Sequence, residues 1–124
     1  SLPCLRNLYM SNNGMKDEAM QSPNSASLLQ TLDLSSNSIS QWSVLRNLSS
    51  LSSLRSLYVG DNPFKSSLSF SFPHIHSLDI SHICIGSFAE MKEILSHFPS
   101  LEELEMRGNP WYDSDGQSRE VDAM

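Results

Sequence analysis

Five short stretches of the chain repeat one pattern, apolar-x-x-apolar-x-apolar, and four of them close on Asn three residues later. They run Leu5, Leu8, Met10, Asn13; Leu29, Leu32, Leu34, Asn37; Leu54, Leu57, Val59, Asn62; Ile75, Leu78, Ile80, Ile83; and Leu101, Leu104, Met106, Asn109. The central leucines follow one another at 24, 25, 21 and 26 residues. A single Leu-x-x-Leu-x-Leu is commonplace in amphipathic segments. Five in phase mark a tandem array, whose units cannot bury their apolar faces alone and must stack on one another.

Each x-x-Leu-x-Leu core predicts a short strand, over 6–10, 30–34, 55–59, 76–80 and 102–106. Parallel stacking at ~4.8 Å gives a concave sheet ~20 Å wide. After each strand the chain turns at the Asn, whose amide can bond backbone groups that would otherwise be buried unpaired. Ile83 has no such amide, which predicts a local irregularity in the fourth and shortest unit. The return segments run on the convex side, and two read as helices. Gln41 to Leu51 carries Trp42, Leu45, Leu48 and Leu51, with Ser40 as N-cap. Ser87 to Phe98 carries Phe88, Met91, Ile94, Leu95 and Phe98, and Ser87 with Glu90 fits a capping box. Pro99 ends that helix; Pro3 and Pro73 stand at the same offset from their strands and start extended runs. The first and third return segments, with Pro23, Asn24 and serine-rich 66–71, read as irregular.

The expected division is a repeat array over 1–109 and a polar C-terminal cap or tail over 110–124. Because the chain opens at Ser1 in the run-up to a repeat, it reads as a fragment of a longer array. A net charge of −6 argues against nucleic acid or an anionic membrane as partner. No apolar run approaches the roughly 18 residues of a membrane span. Cys4 and Cys84 lie about three repeats apart in a stacked array, beyond the ~7 Å Cα reach of a disulfide. Asn109-Pro110-Trp111 runs into Tyr112-Asp113 with no cysteine following, which favours a reducing, cytoplasmic compartment. The sequon Asn47-Leu48-Ser49 points the other way.

Chemistry has a thin case. His74, His76, His82 and Cys84 could be imagined around a zinc ion, but solvated strand and loop positions are the simpler reading. No serine lies in a Gly-x-Ser-x-Gly turn, no phosphate loop is present, and Glu102, Glu103 and Glu105 share one strand. No cofactor, metal or catalytic residue is expected. Binding is better supported. Positions flanking the inward leucines form columns across the sheet: Tyr9, Asp33, Tyr58, Asp79, Glu105, and beside them Arg6, Gln30, Arg55, His76, Glu102. A third column runs Ser11, Ser35, Gly60, Ser81, Arg107. Tyr and Arg are effective anchors at protein interfaces, so Tyr58 with Arg55, and Tyr9 with Arg6, are the preferred contact residues. Acid gathers toward the last strand, so either a partner meeting that end is basic there or that end is simply a soluble cap.

From about Leu2 to Pro110 the phased leucines and asparagines resemble the leucine-rich repeat family. The resemblance implies a right-handed α/β solenoid of about five repeats, its parallel concave sheet used for protein recognition and not for catalysis. Variable spacing and a cysteine-free end look like the intracellular type found in phosphatase regulatory subunits and tubulin-folding cofactors. Asn37-Ser38-Ile39-Ser40-Gln41-Trp42-Ser43 is similar to a stretch of tubulin-folding cofactor E. The expectation is an interaction module of an intracellular adaptor or regulatory subunit. The alternative is a fragment of a ligand-binding extracellular receptor of Toll-like type, whose ectodomains share the wording Leu-Asp-Leu-Ser-Ser-Asn of residues 32–37.

Overall fold

A computed structural model describes residues 6–12, 14, 28–65 and 67–111. Five strands form one open parallel sheet in sequence order: β1 Asn7–Tyr9, β2 Thr31–Asp33, β3 Ser56–Tyr58, β4 Ser77–Asp79 and β5 Glu103–Glu105. The register aligns Leu8, Leu32, Leu57, Leu78 and Leu104 across all four pairings. Phase in the sequence has thus become phase in space. These leucines point to one face, where Leu32, Leu57 and Leu78 are buried with Leu29, Leu34, Leu54, Val59, Ile75 and Ile80. Leu8 and Leu104, on the outer strands, pack against this core while half-buried.

The strands are three residues long where five were expected, yet their bonding continues past them. Leu34 N–H donates to Tyr58 C=O at 2.7 Å, and Ser36 N–H to Gly60 C=O at 2.9 Å. The extended run then ends at a left-handed residue. Asn12, Ser36, Asp61, His82 and Gly108, each four residues past its central leucine, have φ between 55° and 74°. Only glycine adopts this region freely, and Asn and Asp tolerate it best among the rest. Gly108 has a second constraint, because a Cβ there would collide with the His82 imidazole. That ring is exposed and can swing away, so Gly108→Ala should cost about 1 kcal/mol, chiefly from the backbone conformation. Urea unfolding checks this, and replacing His82 by Ala in the same chain should recover little of the loss.

Just beyond these turns stand the buried asparagines. The Asn62 amide donates to Leu34, Val59 and Gly60 carbonyls and accepts from Ile39 N–H. Asn37 donates to Met10, Leu34 and Ser35 carbonyls. Asn109 donates to Ile80 and Met106 carbonyls and accepts from both Ile83 and Ile85 N–H. Asn13 lies outside the described residues. The expected irregularity at Ile83 is present: Cys84, directly after it, takes a second left-handed conformation at φ 68°. Phe64 N–H, at the offset where Ile39 bonds Asn62, instead donates to the carbonyl of Asn62 itself.

The return segments depart from expectation in two places. Trp42–Ser50 is a 3-10 helix, not an α-helix, with Gln41 and not Ser40 at its N-cap, and no side chain caps it. The spacing is compatible with this form. Trp42, Leu45 and Leu48 recur every third residue, and a helix of three residues per turn keeps such a stripe on one face, where it is buried. The second is α1, Phe88–Leu95, which stops three residues before the expected end. Ser96 closes the last α-type bond to Lys92; His97 and Phe98 then bond back to Ile94 and Leu95 in tighter turns. This tightening turns Phe98 inward and offers the His97 carbonyl to Phe72 N–H at 2.8 Å. The α1 cap is as expected at Ser87, whose Oγ accepts from Glu90 N–H, while Glu90 Oε1 accepts from Gly86 N–H, one residue ahead of the usual box.

The third return segment has no helix among its described residues, as expected, and is held by aromatic stacking. Phe64 lies on Trp42 with centroids 4.0 Å apart, and Phe72 on Phe98 at 5.0 Å. At the C-terminal side Trp111 is buried against Phe88, and its backbone N–H donates to Ile85 C=O. The first return segment over 15–27, Cys4, and the tail over 112–124 lie outside the described residues. Cys84 is exposed and unpaired as a thiol. No helix among the described residues is long and apolar enough to cross a membrane.

Candidate functional site

Since the central leucines point inward, the residues one before and one after each of them point together to the opposite, open face. The residues after form the row Tyr9, Asp33, Tyr58, Asp79, Glu105, paired strand to strand as the sequence suggested. The row sharing this face is Asn7, Thr31, Ser56, Ser77, Glu103. Sequence reasoning passed over that second row, although strand alternation was enough to find it. Ser77 Oγ donates to Glu103 at 2.6 Å within it. Arg6, Gln30, Arg55, His76 and Glu102 stand one residue further out, where the chain enters each strand. The carbonyls of the first four each serve two amides of the next segment, as Arg55 C=O does for His76 and Ser77.

Several expected contact residues already have internal work. Arg55 donates from Nη1 to the Ser52 carbonyl at 2.6 Å, which folds its guanidinium back to the preceding turn. His76 Nδ1 lies 3.6 Å from a Glu102 carboxylate oxygen. Glu105 accepts from Arg107 Nε at 3.1 Å. Asp33 Oδ1 accepts from Ser35 N–H and Oγ, and Asp79 Oδ1 from Ser81 N–H at 2.9 Å. These two aspartates therefore brace the turn after their strands. Tyr9 and Tyr58 make no side-chain hydrogen bond among the described residues. Tyr9 is 66% exposed; Tyr58 is half-buried and lines a shallow depression with Ser77, Asp79, Glu103 and Glu105.

The histidines that a zinc site would need are dispersed: His76 faces Glu102, and the His82 ring lies beside Gly108. Among the described residues no three His, Cys, Asp or Glu side chains are grouped to hold a metal. What the open face offers is a flat-bottomed strip of tyrosines, carboxylates and small hydroxyls, suited to non-covalent contact with another chain.

A search of curated proteins found no significant match, so the likeness of residues 37–43 to tubulin-folding cofactor E gains no support there. A family model described as Leucine Rich Repeat matches residues 28–51, the stretch holding β2, Asn37 and the 3-10 helix. The same leucine positions recur in the other four strands of one parallel sheet, held in register with the matched stretch. Over residues 28–51 the chain is similar to the leucine-rich repeat family, and its other four strands repeat the same leucine positions.

Proposed function

We propose that the chain is a non-catalytic protein-recognition module, a right-handed solenoid of five repeats that binds a protein partner on the concave face of its sheet. The observation that carries this is the row Tyr9, Asp33, Tyr58, Asp79, Glu105, which strand pairing sets side by side on the face opposite the core. The match of residues 28–51 to the leucine-rich repeat model supports protein partners in general. The contact set is Arg6, Tyr9, Gln30, Asp33, Arg55, Tyr58, His76, Asp79 and Glu105, with Tyr58 at its centre.

The module belongs to an intracellular adaptor or regulatory subunit. The exposed thiol of Cys84 supports a reducing compartment. One observation favours the receptor alternative: Asn47, in the sequon Asn47-Leu48-Ser49, is exposed on the 3-10 helix. Enzymatic deglycosylation of protein from its natural source decides between the two, and no mass change is expected.

Affinity capture with the intact protein tests the binding face. Tyr58→Ala should weaken capture of the partner about tenfold or more, as loss of a central aromatic anchor does. Lys92→Ala, on α1, should leave capture unchanged. Undiminished capture by Tyr58→Ala and Arg55→Ala together would remove the concave face as the contact surface.

A further inference from the structure

We infer that the open face is built to take a cationic side chain, an arginine of an extended partner segment, over the Tyr58 ring between Asp33 and Asp79. The inference rests on the recognition reading above and adds the chemistry of what is recognised. Register places Asp33 and Asp79 directly on either side of Tyr58, each one strand away, or ~4.8 Å. An aromatic face attracts a cation through its quadrupole, and two flanking carboxylates add charge of the right sign.

Three further features make this more than a run of acids. Both carboxylates are held in place beforehand. Asp33 is fixed by two donors from Ser35, and Asp79 by the Ser81 amide, so their ordering cost does not fall on binding. Gly60 is part of that arrangement, because a Cβ there would stand 3.2 Å from Asp79 Oδ1 and 2.9 Å from Ser81 C=O. In both aspartates the second oxygen, Oδ2, has no donor among the described residues. Two of the described cations on this side have internal partners: Arg55 donates to the Ser52 carbonyl and Arg107 to Glu105. Finally, Tyr58 lines a shallow depression with Asp79, Glu103 and Glu105, so further carboxylates stand beside the seat. A planar guanidinium suits the seat better than an ammonium, since it can stack on the ring and bond a carboxylate edge-on.

The test is an amide NMR titration of the whole chain with acetyl-Gly-Arg-Gly-amide, set against the same peptide carrying citrulline, which keeps the shape without the charge. The expected result is a saturable set of shifts centred on residues 33, 58 and 79 for the arginine peptide alone. Tyr58→Leu should weaken it about tenfold, while Tyr58→Phe, which keeps the π face, should not. Asp33→Asn with Asp79→Asn should weaken it as strongly, because the amide oxygen still accepts from Ser35 and Ser81 and the turns survive. Equal shifts with citrulline, shifts centred on Glu90 and Glu93, or no shifts at millimolar peptide would each overturn the inference. Should that happen while partner capture still depends on Tyr58, the recognition face stands and only its arginine preference falls.

Discussion

Phe72→Ala should lower the stability of the chain by about 3–5 kcal/mol, the range for removing a buried phenylalanine ring. Phe72 is 1% exposed, stacks on Phe98 with an interplanar angle of 7°, and meets Phe70 at 5.3 Å. Its backbone N–H is the donor that takes the His97 carbonyl at the tightened end of α1. Truncation therefore opens a cavity where the helix-free third return segment leans on its neighbour. Phe70→Ala is the control. That ring is half-buried under the Arg46 guanidinium, 4.8 Å from its centroid, and its removal should cost about 1–2 kcal/mol. Urea unfolding followed by tryptophan fluorescence reads both changes. A loss below about 1 kcal/mol for Phe72→Ala would mean that the aromatic column bears no weight.

Asn109→Ala should cost about 3 kcal/mol or more by a different route, unmade hydrogen bonds instead of lost packing. The side chain is fully buried, and its removal strips the acceptor from Ile83 and Ile85 N–H and the donor from the Ile80 and Met106 carbonyls. Each group so stranded in the interior carries a desolvation penalty of about 1–3 kcal/mol, reduced where water enters. Asn109→Asp sharpens the test. It keeps the acceptor for the two amides but turns a carboxylate oxygen toward two carbonyls, so it should be no better than Ala. A thermal midpoint lowered by about 10 °C for both variants is the expected reading. If Asn109→Asp kept the wild-type midpoint, the two donated bonds would contribute nothing.

How much of this was legible in the residues depends on which physical constraint was acting. The sheet and its register followed from the leucines, because inward and outward positions alternate and a slip by one would expose Leu32, Leu57 and Leu78 together. The N-cap of α1 was equally plain, since Ser87 and Glu90 have one common arrangement. The 3-10 helix was not, because Trp42, Leu45 and Leu48 at three-residue spacing fit one face of either helix type. Nothing short of the backbone distinguishes them. The left-handed turn column was hidden as well, since Ser36 and His82 do not announce a positive φ as Gly108 does. At the candidate site, the row headed by Tyr9 stands out by its aromatic and charged side chains. Its companion headed by Asn7 is made of small polar residues as far as Ser77, with Glu103 at its end, and shows itself only through strand parity. The double duty of Asp33 and Asp79 needed coordinates, because a carboxylate bracing a turn and one awaiting a partner are the same letter.

The substitution of Ile83 for asparagine has a consequence for how the molecule comes apart. Amide bridging joins β1 to β2 and β2 to β3 through Asn37 and Asn62, and β4 to β5 through Asn109, but skips the step from β3 to β4. A cavity of about 100 Å³ lies beside the same step, lined by Trp42, Phe64, Leu68, Ile83 and Ile85. The stack is thus two blocks sharing a seam, and heat or force will find that seam before it finds either block.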